Sequence, residues 1–118
     1  MAGGDIIIFH NPACGTSRNV LAAIRAAGAE PKVVEYLKVG WTRPQLEGLL
    51  KALSASPRDV LRVRGTAAEA LGLTAPGVSD DALLKAMVAD PALVERPIVV
   101  TPKGTALCRP AEKVEALL

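Results

Sequence analysis

Cysteine and histidine are scarce in this sequence, and their scarcity excludes two classes of protein. The 118 residues hold two cysteines, Cys14 and Cys108, and one histidine, His10. Small secreted proteins built on disulfides have four or more cysteines, so we expect a reducing, cytoplasmic location. A zinc site needs three or four ligands at short spacing, and the sequence therefore predicts no metal site.

Long hydrophobic runs and clusters of one charge are also missing. Apolar runs such as residues 6–9 and 98–100 are far shorter than the ~20 residues of a membrane span. The opening Met-Ala-Gly-Gly-Asp has no basic region followed by an apolar one, so we expect no secretory signal. The net charge is only +2 and the basic residues are spread along the chain, which predicts neither nucleic acid nor a membrane as a partner.

Apolar residues make up 50% of the chain, which is enough at this length for one hydrophobic core. We therefore expect residues 1–118 to form a single domain. The sequence has no internal repeat or linker-like segment, and no apolar surface stripe argues for an oligomer, so a monomer is expected.

The first third of the chain predicts a βαβ unit. The β-branched run at 6–9 is followed by a polar turn, then by apolar residues at helical spacing, with Gly28 suited to end the helix. Residues 31–37 are predicted as a second strand, parallel to the first.

The rest of the chain predicts a helical insertion and then a hairpin. Residues 42–92 are rich in helical patterns, with Thr42 and Ser79 suited to cap helices. Strand signals return at 96–101 and 106–109, before a short terminal helix. The order predicts an α/β fold with a four-stranded mixed sheet and flanking helices, which best fits the thioredoxin-like or glutaredoxin-like fold. Pro97 lies where that fold commonly has a cis-proline, a state that sequence alone does not determine.

Cys14 is the strongest candidate for a catalytic residue. It lies where the first strand gives way to the first helix, so we expect its sulfur among the unpaired N–H groups of Gly15, Thr16 and Ser17. Those groups stabilise a thiolate and bind an oxyanion. A free cysteine is more often a small buried residue, but a cysteine in the first helical turn, after a proline-containing loop, favours function.

The spacing around Cys14 excludes two kinds of thiol enzyme. The motif is C-x-x-S, which lacks the second thiol of a dithiol oxidoreductase. Phosphatase-type anion loops have an arginine six residues after the cysteine, and here that residue is Val20. Cys108 could in principle resolve Cys14, but nothing in the sequence brings the two within disulfide range, and we predict a structural or bystander role for it.

One histidine and several arginines are candidates to assist Cys14. His10 in its protonated form can lower the thiol pKa, or its ring can orient the turn, although a lone histidine is often an ordinary packed residue. Arginine suits tetrahedral oxyanions, and Arg96 and Arg109 flank the strands expected beside the turn. Arg62 lies in the helical block with Arg58 and Arg64 nearby, and any of these arginines alone is more often a solvated charge.

Residues 10–19, with the sequence HNPACGTSRN, resemble the active-site segment of the glutaredoxin-linked (ArsC-like) arsenate reductases. Segments 60–62, 95–102 and 104–110 are similar to later motifs of the same family, in the same order. The resemblance covers the chain from about residue 5 to 118.

The resemblance implies an activity and a set of roles. Cys14 would attack arsenate and form a covalent cysteinyl-arsenate adduct, which glutathione attacks as co-substrate and glutaredoxin resolves, releasing arsenite. Arg62, Arg96 and Arg109 would match the anion-stabilising arginines of the family, and His10 its thiol-activating histidine. The choice of Arg62 over its neighbours rests on the resemblance alone. No bound cofactor is implied.

Two alternatives remain open on the sequence. Another monothiol glutathione-dependent oxidoreductase would need Cys14 but not three arginines. A non-catalytic, redox-type transcription regulator of the same fold would bind RNA polymerase, but the sensing form usually has C-x-x-C, and residue 17 is serine.

Overall fold

A computed structural model describes residues 5–118. The prediction that no secretory signal begins the chain concerns mainly residues 1–4, which lie outside the described range. The chain divides into two compact units, one made of the chain up to Val39 together with Arg96–Leu118, the other of Gly40–Glu95. Over residues 5–118, no helix has the length and apolar character needed to cross a membrane.

The first unit is built on a four-stranded mixed sheet. Its strands are β1 (Ile7–Phe9), β2 (Lys32–Val34), β3 (Ile98–Thr101) and β4 (Gly104–Leu107), in the spatial order β2-β1-β3-β4. β1 pairs with β2 in parallel and with β3 antiparallel, and β3 and β4 form an antiparallel hairpin. The predicted sheet is therefore confirmed.

Helix α1 (Gly15–Ala26) covers this sheet with one apolar stripe. Val20 and Ile24 are fully buried, and Gly28, with a φ of 88°, follows the helix end as the sequence predicts. The terminal segment Ala111–Leu117 is a 3-10 helix that packs against α1. The core of the unit consists of Ile6, Ile8, Val20, Ile24, Val99, Cys108, Val114 and Leu117.

The second unit is the predicted helical insertion. It contains α3 (Arg43–Leu53) and α4 (Asp80–Ala89), with short 3-10 helices at Pro57–Val60 and Pro91–Leu93. Thr42 caps α3 by a capping box with Gln45, and the Ser79 hydroxyl accepts the Ala82 N–H at the start of α4. Both predicted caps are confirmed.

The structure differs from the sequence prediction in its strand limits. The predicted strand at 31–37 ends at Val34, because the carbonyl of Glu35 accepts the N–H groups of Lys38 and Val39 and so begins the short helix α2 (Tyr36–Val39). The last strand was expected at 106–109 but runs from Gly104 to Leu107, because Pro102 and Lys103 alone form the turn. The Arg96–Pro97 and Arg109–Pro110 peptide bonds are cis.

Candidate active site

Cys14 is the N-cap residue of α1 and so lies where the sequence predicts it, between the first strand and the first helix. Its φ and ψ are −94° and 122°, and its carbonyl accepts the Arg18 N–H at 3.0 Å. Its own N–H donates to the Asn11 carbonyl at 3.0 Å, which closes the turn before the helix. The residue is only 9% exposed. The thiol therefore lies at the positive end of the helix, largely shielded from water.

The side chain of Ser17 holds the turn that presents Cys14. Ser17 is fully buried, and its hydroxyl oxygen accepts the N–H of Asn11 at 3.1 Å and lies 2.6 Å from Nδ1 of His10. The Asn11 side-chain oxygen accepts the N–H of Ala13 at 3.0 Å. One buried hydroxyl thus ties the end of β1 to the first turn of α1.

Two arginines of the first unit lie beside the thiol of Cys14. Nη1 of Arg109 lies 3.7 Å from Sγ of Cys14 and also donates to the carbonyl of Arg96 at 3.0 Å. Burial raises the pKa of the Cys14 thiol, but the Ser17 backbone N–H and the side chains of Arg96 and Arg109 outweigh burial. The pKa falls from 9.0 to about 7, so the thiolate is far more abundant at neutral pH than for an ordinary cysteine.

Arg96 has a guanidinium nitrogen that is able to bind a ligand. Its Nε is buried and, within residues 5–118, has no hydrogen-bond partner. A buried guanidinium nitrogen without a partner is costly, and an anion beside Cys14 would satisfy it. Arg96 and Arg109 were predicted to flank the cysteine turn, and the structure brings both of them there.

The surroundings of His10 favour an orienting role. Burial lowers the pKa of His10 below 6.5; Glu35 opposes this shift, whereas Arg25 and Arg18 add to it. The neutral ring is therefore the main form at neutral pH. Its Nδ1 contacts the Ser17 hydroxyl, which is the contact expected for the second of the two roles considered for it, the orientation of the turn.

Arg62 lies in the second unit, where its side chain is only 15% exposed. Its Nη1 forms a 2.8 Å salt bridge with Glu95, and its backbone N–H donates to the carbonyl of Leu93. Nearby Arg58 instead donates to the carbonyls of Ala75 and Val78. The role of Arg62 in binding an anion stays a prediction that rests on the sequence resemblance.

The surroundings of Cys108 raise the pKa of its thiol, whereas those of Cys14 lower it. It is fully buried in the core of the first unit, and burial raises the pKa of its thiol to about 11. Both cysteines are free. Within the described part of the chain, no three His, Cys, Asp or Glu side chains group together in a way that could hold a metal ion.

Sequence reasoning missed the buried hydrogen-bond network behind the thiol. Ser17 was predicted only as a backbone donor, and Asn11 was not singled out. The Asn-Pro pair is itself a turn signal, because an asparagine side chain can bond the backbone two residues on. That signal could have identified Asn11, whereas nothing in the spacing indicates the contact between His10 and Ser17.

Comparison with known proteins identifies the family. A sequence model of the ArsC family matches residues 9–117. An arsenate reductase of Synechocystis sp. is 56% identical over 118 residues, which is all of this chain and 82% of that relative. The arsenate reductase of Escherichia coli strain K12 is 47% identical over 97% of this chain and 81% of its own length. An arsenate reductase structure from Vibrio cholerae superposes with a TM-score of 0.91 at 35% identity, covering 100% of this chain and 98% of the other. This chain belongs to the ArsC family.

Proposed function

We propose that this protein is an arsenate reductase that takes its electrons from glutathione and glutaredoxin. One observation supports this most directly: Cys14, at the N-terminus of α1, has a thiol pKa near 7 and lies beside Arg109 and Arg96. Such a site suits a tetrahedral oxyanion, because backbone N–H groups and planar guanidinium groups both bind its oxygens. Membership of the ArsC family supports arsenate as that oxyanion.

In the first step, the Cys14 thiolate attacks arsenic. A sulfur–arsenic bond forms, an arsenic–oxygen bond breaks, and the oxygen leaves as water after protonation. Arsenic stays arsenic(V). The N–H groups of Gly15, Thr16 and Ser17, together with Arg96 and Arg109, would stabilise the negative charge on the remaining oxygens. Splitting the reduction into adduct formation and thiol transfer replaces one difficult step by easier ones.

In the second step, the thiol of glutathione replaces another oxygen on arsenic, again with loss of water. The thiolate of glutaredoxin then attacks the glutathione sulfur and forms a mixed disulfide. The electron pair of the broken sulfur–arsenic bond stays on arsenic, which becomes arsenic(III). Hydrolysis of the remaining bond to Cys14 releases arsenite and regenerates the thiol, so that two thiols supply the two electrons.

The surroundings of the second cysteine support an external reductant. Cys108 is fully buried and its thiol pKa is raised to about 11, so it is not a thiolate at neutral pH. Residue 17, where a dithiol enzyme has its second sulfur, is serine. We propose that the protein works as a single cytoplasmic domain and as a monomer, without a bound cofactor.

The test is arsenate-dependent oxidation of NADPH, coupled through glutathione reductase, glutathione and glutaredoxin. Native protein should consume NADPH, Cys14→Ser should not, and Cys108→Ala should retain most of the rate. Absence of arsenate-dependent oxidation in the native protein would overturn the proposed function. Loss of the rate in both variants would point to an internal thiol relay in place of attack by glutathione. If the native protein instead reduced mixed disulfides with glutathione, another monothiol oxidoreductase would be indicated.

A further inference from the structure

A cavity of about 540 Å³ lies on the outer side of α1, next to the turn that holds Cys14. Its size falls in the range of small-molecule sites, roughly 300–1,000 Å³. The arsenate step described above does not use it. The lining residues are His10, Pro12, Arg18, Leu21, Ala22 and Arg25.

Four of these residues form one face of α1. Arg18, Leu21, Ala22 and Arg25 have the spacing i, i+3, i+4, i+7, which places them on a single stripe. The opposite stripe contains the buried Val20 and Ile24. The two arginines are thus about 10 Å apart along the helix, with apolar side chains between them.

The guanidinium of Arg18 folds back towards Cys14. Its Nη1 donates to the carbonyl of Pro12 at 2.9 Å, and its Nη2 lies 3.7 Å from the point where a Cβ on Gly15 would be. Among the described residues, the carbonyl of Pro12 is its one hydrogen-bond acceptor. The other guanidinium nitrogens remain able to bind an anion beside the residue that follows Cys14.

Arg25 is a weaker anion site than Arg18. Its Nε and Nη2 both bond the carboxylate of Glu30, at 3.0 Å for the shortest contact of each, and this exposed pair partly neutralises the charge. The end of the cavity near Cys14 is therefore the more strongly positive end.

We propose that this cavity binds glutathione, with Arg18 holding a carboxylate so that the sulfur reaches the adduct on Cys14. The inference rests on the proposed function and names the place of its second substrate. Glutathione is a tripeptide with two carboxylates and one ammonium group, and an extended tripeptide spans about 10 Å, close to the length of the arginine stripe. Its carboxylates are opposite in charge to the two arginines, and its methylene groups can pack on Leu21 and Ala22.

The charge of Arg18 also reduces the electrostatic repulsion between the two substrates. The arsenate adduct and glutathione are both anionic, so they repel each other as the thiol approaches. A guanidinium between the two sites offsets that repulsion. A protein partner would need an interface of about 1,000 Å² or more, whereas this cavity is the size of a small molecule.

The experiment compares steady-state kinetics of native protein, Arg18→Gln and Ala22→Leu, with Lys51→Gln as a control that removes one exposed helical charge on the second unit. We expect the KM for glutathione to rise roughly tenfold in Arg18→Gln, as for loss of one charge-assisted hydrogen bond. Ala22→Leu, which narrows the cavity while keeping a good helix former, should raise the same constant. The KM for arsenate should change much less than the KM for glutathione in both variants, the pKa of Cys14 should stay unchanged, and Lys51→Gln should match native protein throughout.

Two further measurements distinguish failure of this inference from failure of the proposed function. With 2-mercaptoethanol as the only reductant, a thiol without carboxylates of which two molecules supply the two electrons, arsenite formation is measured directly. Arg18→Gln should then be as active as native protein, and an equal loss with both thiols would contradict the inference. Binding of S-methylglutathione, which cannot react, is followed by NMR in native protein and Arg18→Gln.

If native protein reduces arsenate but its KM for glutathione and its S-methylglutathione binding do not depend on Arg18, this inference alone is wrong. If only the KM for glutaredoxin rises, the surface docks a protein and the inference is also wrong. If native protein reduces no arsenate, the proposed function fails.

Discussion

Nη1 of Arg109 lies 3.7 Å from Sγ of Cys14, although 95 residues separate the two in the chain. Arg109 follows β4 and Cys14 precedes α1, so the contact depends on how the sheet is assembled. The same nitrogen donates to the carbonyl of Arg96, which fixes the guanidinium in place. The low pKa of the Cys14 thiol therefore depends in part on a residue that follows the last strand of the sheet.

Removal of Arg109 should make the thiol less acidic. In Arg109→Gln, we expect the pKa of Cys14 to rise from about 7 towards 9.0, because a cationic hydrogen-bond donor is lost. Arg109→Lys should give an intermediate value, since it keeps the charge but not the planar geometry. The rate of alkylation by iodoacetamide against pH measures this. Arg64→Gln, an exposed arginine of the second unit, is the control, and an unchanged profile in Arg109→Gln would count against the assignment.

The acidity of Cys14 should also appear in the stability of the protein. The folded thiol has a pKa of about 7 and an unfolded thiol one near 9.0, so the unfolded chain binds more protons between these values. The free energy of unfolding should therefore rise from pH 7 to pH 9, by about 1–2 kcal/mol from this group. The contribution is lost as the pH falls through 7. Urea unfolding of native protein and Cys14→Ser at several pH values tests this: the difference between the two should follow the predicted pH dependence.

His10 and Ser17 should act as one unit. Ser17→Ala leaves the Asn11 N–H and Nδ1 of His10 without their buried partner, which should cost about 1–3 kcal/mol of unfolding free energy. His10→Ala should cost a similar amount, and the double substitution less than the sum. The same cycle on the pKa of Cys14 should show coupling, because both residues hold the turn. Additive effects on stability and on pKa would refute the shared role.

The pair Arg62 and Glu95 allows the predicted role of Arg62 to be tested with two opposite changes. Arg62→Gln should weaken competitive inhibition by phosphate and raise the KM for arsenate, because one cation is lost. Glu95→Gln keeps an oxygen that can accept from Nη1 of Arg62 at 2.8 Å but removes the negative charge, so anion affinity should increase. Steady-state kinetics of both variants measures this. Equal anion affinity in the two variants would remove Arg62 from the site.

Local chemistry made much of the fold predictable. A proline-containing turn before a stripe of apolar residues predicts the start of α1, and Thr42 followed by Gln45 is a capping pattern that the structure forms. The predicted strand at 31–37 was too long because its aromatic and apolar residues suit a strand and a buried helical turn equally. In the structure Tyr36 begins α2 and is buried there.

The candidate site was predictable where it depends on element order and not where it depends on side-chain contacts. Strand order alone places Arg96 and Arg109 near the cysteine turn. The hydroxyl of Ser17 is different, because its partners His10 and Asn11 lie across a turn whose path no periodicity encodes. The neutral form of His10 also follows from burial, which a single sequence does not reveal.

The hydroxyl of Ser17 has a consequence for how the protein handles electrons. It is fully buried and bonded where a dithiol enzyme would keep its second sulfur. On the proposed function, the protein stores no reducing equivalents, so a fully reduced sample freed of small thiols forms the adduct but releases no arsenite. Both electrons arrive from solution within each turnover. On that proposal, the protein passes electrons from external thiols to arsenic and does not store them.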